Sequence, residues 1–192
     1  MAMTSVPEHG SMDELIRGLK AGRPEAFERL VRDFGDRIYR YVKRLAGEQS
    51  AEDLTQEVFI RVHRSIDAYR PEGRFESWLF TIASNLCIDH ARRRKPEVSL
   101  SELDEEFAPE RFAADAPEPG DQAEEGERHR ALLKAVERLP FEQKQVFLLR
   151  QEAGLTFQEI AEMTKCPLNT ALGRMHYAME ALRKSLKAYG MQ

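Results

Sequence analysis

The chain has 192 residues, of which 42% are hydrophobic and 32% charged, enough apolar content for one large folded domain or two small ones. No apolar run approaches the roughly 20 residues of a bilayer span. The start of the chain, Met1-Ala2-Met3-Thr4-Ser5, lacks the basic-then-apolar order of a secretory leader, so a cytoplasmic location is expected. The net charge of −4 conceals a division: residues 1–96 carry +2, residues 97–127 carry −11, and residues 128–192 carry +5. An acidic total therefore does not argue against nucleic-acid binding.

Residues 1–11 read as disordered. Leu15, Ile16 and Leu19 then form a short apolar stripe that Gly22 stops. Pro24 suits a first helical turn, and Phe27, Leu30, Val31, Phe34, Ile38, Tyr41, Val42 and Leu45 continue at helical spacing to Gly47. Ser50 is expected to cap the next helix, with Asp53 three residues on. In that helix Leu54, Val58, Val62 and Ile66 stack on one face, and Asp53, Gln56, Glu57, Arg61 and Arg64 occupy the other. Arg70-Pro71-Glu72-Gly73 breaks it. A fourth helix is expected to bury Trp78, Leu79, Ile82, Ala83 and Leu86 and to end on Arg92, Arg93, Arg94 and Lys95. Cations after an aromatic-bearing loop suit a nucleic-acid strand, because they meet phosphates while the aromatics meet unstacked bases.

Pro96 opens an acidic stretch rich in Pro and Ala, which reads as a flexible linker over 96–127. Leu100, Leu103, Phe107 and Phe112 are its isolated apolar anchors. From Arg128, Leu132, Leu133, Val136 and Leu139 mark one helix, and Val146 to Leu149 mark the next. Thr156-Phe157-Gln158-Glu159 is a capping box. It opens a two-turn helix, and Lys165-Cys166-Pro167 makes a tight turn before a longer helix whose Ala171, Met175, Ala178, Met179, Leu182 and Leu186 face inward. Short helix, tight turn and longer helix form the helix-turn-helix arrangement, which places Asn169, Thr170, Arg174, His176 and Tyr177 near base edges or phosphates. The expected fold class is all-α: a helical bundle over 12–95, the acidic linker over 96–127, and a helix-turn-helix domain over 128–192.

The order of these parts, with the words DLTQEVFIRVHR, FESWLFTIASNLCIDHARRRK, RLPFEQKQVFLLR and LTFQEIAEMT, resembles a bacterial RNA polymerase sigma factor of the extracytoplasmic-function group, over about Asp13 to Leu186. The resemblance implies an N-terminal sigma region 2-like domain and a C-terminal region 4-like domain. It implies core polymerase as partner, gripped at the largest-subunit clamp helices by Asp53, Gln56, Glu57, Phe59 and Arg61, with Phe59 as the one exposed aromatic, and also at the flap region. It places Arg74, Phe75 and Asn85 against a flipped −10 base and Arg92, Arg93 and Arg94 on phosphates, while Trp78 packs in the core. Promoter DNA at −35 would meet the second helix of the helix-turn-helix. An anti-sigma factor is a further implied partner. Family members usually carry polar residues such as Lys-Ser where this chain has Leu172-Gly173, and often Arg where it has Tyr177. The groove-reading helix is thus less basic than the family pattern, which turns attention to Lys144, Arg150 and Lys165 for phosphates.

Two other classes make different demands on the sequence. A stand-alone helix-turn-helix regulator would bind duplex without polymerase. An enzyme would need features that the sequence lacks: it has no Gly-rich phosphate loop, no nucleophile elbow and no clustered His or Cys ligands. No cofactor, metal, small-molecule substrate or membrane insertion is expected. Cys87 and Cys166 read as reduced, small apolar residues.

Overall fold

The computed structural model describes residues 9–71, 74–94 and 123–187, with side chains from Met12 to Arg93 and from Arg130 to Lys187 apart from Glu72 and Gly73. The acidic linker, with its four apolar anchors, falls outside the described residues up to position 122, as do residues 1–8. The described residues form eight α-helices and two short 3-10 turns, with no strand among them. They belong to two compact units, residues 1–88 and 89–192.

The first unit is built from α1 (His9–Lys20), α2 (Pro24–Ala46), α3 (Ala51–Ser65) and the larger part of α4 (Phe75–Arg94), whose last residues lie past the boundary at Ile88. α1 starts at His9, so the last three residues of the stretch expected to be disordered are helical. Gly18 lets α1 and α2 approach closely: a Cβ there would sit 2.7 Å from the Cβ of Ala26. Pro24 occupies the first turn of α2, as its fixed φ favours. Gly47, at φ 95°, lets the chain leave α2 in a direction that a side chain would resist. Ser50 does not cap α3 with its side chain. The 3-10 turn Glu48–Ser50 runs straight into the helix and holds Ser50 at φ −108°, ψ 0°, rather than in the extended conformation that aims an N-cap oxygen at the first free N–H groups.

The core of this unit is aromatic. Tyr41 of α2 meets Phe80 of α4 edge-on at 5.4 Å, and Phe34 meets Phe75 at 5.9 Å. The Arg37 guanidinium lies over both α2–α4 pairs, 5.5 Å from the Phe34 ring and 5.7 Å from the Phe80 ring. Val58, Val62 and Ile66 are buried as their spacing predicts, and Leu54 is half-buried. Lys20 of α1 donates to the Tyr69 carbonyl at 2.8 Å and so ties α1 to the segment between α3 and α4.

The second unit holds α5 (Ala123–Glu137), α6 (Phe141–Glu152), α7 (Phe157–Thr164) and α8 (Leu168–Lys187). α5 begins inside the stretch read as linker. α6 buries Val146, Phe147, Leu148 and Leu149 together with the polar Glu142, Gln145 and Glu152, and α8 packs against α5, α6 and α7 alike. The capping box forms in full: the Glu159 N–H donates to Thr156 Oγ1, and the Thr156 N–H donates to Glu159 Oε2. Two satisfied backbone donors stabilise a helix of only eight residues, which by itself would be marginal. Lys165 closes α7 in the left-handed region, at φ 54°, and turns the chain into α8.

Candidate nucleic-acid interface

The 3-10 turn Ile66–Ala68 and the first turns of α4 enclose a cleft of about 260 Å³, lined by Ala68, Tyr69, Arg70, Arg74, Ser77, Trp78 and Thr81. Two rings, Tyr69 and Trp78, line it, and Phe75 packs behind them. Tyr69 and Trp78 stand 5.0 Å apart, Tyr69 and Phe75 5.5 Å, and Phe75 and Trp78 5.6 Å. Phe75 is the innermost, at 2% exposure. Trp78 is half-buried and keeps one side on the cleft. The rim is cationic, with exposed Arg70 and Arg74, and Arg74 lies 3.9 Å from the Glu76 carboxylate. Burial pushes the Tyr69 hydroxyl above its ordinary pKa, and Glu76 and Asp13 add to the effect, so the ring stays neutral. Since α-helical side chains advance about 100° per residue, Trp78, Thr81, Asn85 and Arg92 share one stripe of α4. That stripe offers in turn an aromatic surface, a hydroxyl, an amide and a cation. Thr81 already donates to the Ser77 carbonyl at 2.7 Å.

On α3, Asp53 and Gln56 are exposed and Glu57 and Arg61 are half-buried. Glu57 and Arg61 are paired at 3.0 Å. Phe59 is not the exposed aromatic of this face. It is 7% exposed and meets Phe27 of α2 edge-on at 6.4 Å. Helical phase explains this, because Phe59 lies three residues before buried Val62 and seven before buried Ile66, on the covered face. Ile60, 42% exposed, is instead the apolar residue among the acids and amides.

On α8, Asn169, Thr170, His176 and Tyr177 are exposed, and the His176 and Tyr177 rings touch edge-on at 5.7 Å. Arg174 turns away from that face: its Nη1 pairs with Glu142 Oε2 of α6 at 3.2 Å, both side chains being largely buried. Its place in the helix, between buried Ala171 and Ala178, makes it an α6–α8 tie. Two of the three alternative phosphate contacts are also engaged in the fold. Lys144 donates to the Glu137 carbonyl at 2.7 Å, and burial holds its ammonium below the usual lysine pKa against the opposing effect of Glu137. Arg150 donates to the Leu155 carbonyl at 2.7 Å and stacks 5.5 Å from the Phe157 ring. Lys165 is exposed in the turn.

Comparison with known proteins places these surfaces in a family. The model of sigma-70 region 2 matches residues 30–97, and that of sigma-70 region 4 matches residues 129–182. The ECF RNA polymerase sigma factor SigW of Bacillus subtilis is 33% identical over 180 residues, covering 90% of this chain and 95% of SigW. The chain belongs to the ECF RNA polymerase sigma factors. SigE of Mycolicibacterium smegmatis, another ECF sigma factor, is 36% identical over 176 residues; these span 91% of this chain and 66% of SigE. Among solved structures, the sigma factor RpoE of Bartonella quintana, in complex with the anti-sigma factor NepR, shares the fold with a TM-score of 0.62 at 22% identity, over 84% of this chain and 96% of that one.

An ECF sigma factor gives core RNA polymerase its promoter specificity, and the match of the N-terminal half to region 2 disfavours a stand-alone regulator. Within this sigma factor the expected −10 set divides. Arg74, Asn85, Arg92 and Arg93 are exposed on or beside α4. Arg94 ends the helix, with its side chain outside the described residues. Phe75 does not face a base; it is core, and Trp78, expected in the core, lines the cleft instead. Sequence spacing alone does not separate two aromatics three residues apart, since both fall on the same helical face. Ile60 on α3, and Arg70, Ser77 and Thr81 lining the cleft, stand outside the expected site residues. Ile60 was legible as the residue in phase with Asp53, Gln56 and Arg64, whereas the other three needed the fold.

Proposed function

We propose that this sigma factor binds core polymerase through the exposed face of α3, captures an unstacked −10 base in the Trp78 cleft, and reads the −35 duplex with α8. It acts in the cytoplasm, has no catalytic activity of its own, and holds the acidic linker of 96–127 between the two DNA-binding domains. Asp53, Gln56, Glu57 and Arg61, around Ile60, carry the polymerase contact. A face that mixes acid, amide and Arg about one exposed apolar residue suits a helical partner. The flap region of polymerase is the second contact of core with this chain.

The cleft is the observation that carries the proposal. Melting a promoter needs no covalent chemistry, only a site whose favourable contacts offset the few kcal/mol of extruding a base. Trp78 supplies a π-surface, Ser77 and Thr81 supply hydroxyl oxygens, and Arg70 and Arg74 face the phosphates beside it. Asn85, Arg92, Arg93 and Arg94 then track the non-template strand along α4. Phe75 acts through Trp78, by fixing the ring from behind. Control by an anti-sigma factor belongs to the same proposal, supported by the fold shared with a sigma factor solved in such a complex.

Run-off transcription with core polymerase from the same bacterium on pooled genomic fragments tests the reading. Specific transcripts that require the chain are expected. Their absence from every pool would overturn it.

A further inference from the structure

We propose that Leu172 reads the C5-methyl of a thymine in the −35 element, so that this sigma factor selects its duplex through a methyl contact. The inference rests on α8 lying in the major groove, as argued above.

The helical phase of α8 sets Asn169, Leu172, Gly173 and His176 side by side, opposite buried Ala171, Ala178 and Leu182. Leu172 is 42% exposed at the centre of that outer face. A single exposed leucine is ordinary on a protein surface. This one is distinguished by its neighbours. A Cβ built on Gly173 would meet no atom within 4 Å, so the surface on that side of Leu172 is open to a flat base pair. Arg174 is the only Lys or Arg between Leu168 and Tyr177, and Glu142 holds it on the inner side. The outer face of these turns therefore has no guanidinium or ammonium with which to grip guanine.

Two modes of base readout follow from Asn169 and Leu172. An amide such as Asn169 matches adenine N6 and N7, and an apolar side chain matches the thymine methyl. Both point to A·T pairs. The occupant is DNA because cations flank the apolar centre at both ends, Lys165 in the turn before α8 and Arg183 in its last turns, both exposed. Cations at the ends meet phosphates, and the neutral centre meets base edges.

The test uses holoenzyme assembled from core polymerase and the full chain. A promoter library randomised at −35 is enriched by binding, and each thymine of the enriched element is then replaced by uracil, which removes only the methyl. With the wild-type chain, one such change is expected to weaken binding about fourfold, the size of one methyl returned to water. With Leu172→Ala, thymine and uracil at that position should bind alike, while thermal unfolding is unchanged because the side chain lies outside the core. The proposal is overturned if no uracil matters to the wild-type chain, if the enriched element contains no thymine, or if Leu172→Ala still prefers thymine. Enrichment of no −35 sequence at all would be a different failure: it would remove α8 as a duplex reader, and this assignment with it.

Discussion

Replacing Phe75 by Ala separates the two roles that its sequence position allows. If the ring faced DNA, its loss would spare stability and abolish melting. The structure gives it a core role, with 2% exposure and contacts to Phe34, Tyr69 and Trp78 at 5.9, 5.5 and 5.6 Å. Truncating a buried Phe costs about 3–5 kcal/mol, transfer and cavity together. Three aromatic pairs, each worth about 0.5–1.5 kcal/mol, put this site in the upper part of that range. For a domain of this size the midpoint of thermal unfolding should fall by roughly 15–30 °C. Trp78 is the only tryptophan and touches Phe75, so its fluorescence reports the unfolding of the first unit alone. Urea titration followed at the tryptophan band, wild type against Phe75→Ala, gives the number. A change below about 0.5 kcal/mol, the range of ordinary surface substitutions, would refute the core assignment and return Phe75 to the DNA face.

The Arg174–Glu142 pair should behave as a tie between helices: Arg174→Ala and Glu142→Ala should each destabilise the second unit, and their double-mutant cycle should show a coupling of about 1–3 kcal/mol, since these charges are largely buried. Additive losses would show that the pair contributes nothing. Asp53→Ala with Gln56→Ala should weaken co-purification with core polymerase without moving the unfolding midpoint, because both side chains are exposed. Retained association would remove them from the polymerase face. Burial pushes the Cys87 thiol up to about 12, so its thiolate is disfavoured in the folded state. Its contribution to stability is intact below the ordinary thiol range and is lost as pH rises from about 9 towards 12. Iodoacetamide at pH 8.5 should accordingly modify half-buried Cys166 in the native protein and Cys87 only after unfolding, as read by peptide mass mapping. Rapid native labelling of Cys87 would contradict its placement.

Much of the fold was written in periodicity. The stripes of α2 and α3, Pro24 at the start of α2, Gly47 at its end and the Thr156–Glu159 box are local signals, and local chemistry decides them. Phe59 and Ile60 were separable by phase, the one with buried Val62 and the other with exposed Asp53 and Gln56. The other misreadings share a cause: whether Phe75 or Trp78 points outward depends on which neighbouring helix covers it, and Arg174 turns inward because Glu142 of α6 is there to receive it. Those facts are long-range, as is the geometry that makes a cleft of Arg70, Ser77 and Trp78. Ser50 failed as a cap for a local reason, the 3-10 turn ahead of it, which Ser and Asp spacing does not reveal.

The most direct measurement places 2-aminopurine at successive −10 positions of the non-template strand and follows its fluorescence as holoenzyme binds. One position should brighten with the wild-type chain as its base leaves the stack. With Trp78→Ala the open population there should fall about fivefold or more, the scale of one lost base–aromatic stack. Equal brightening with both proteins, or none with either, would contradict the account.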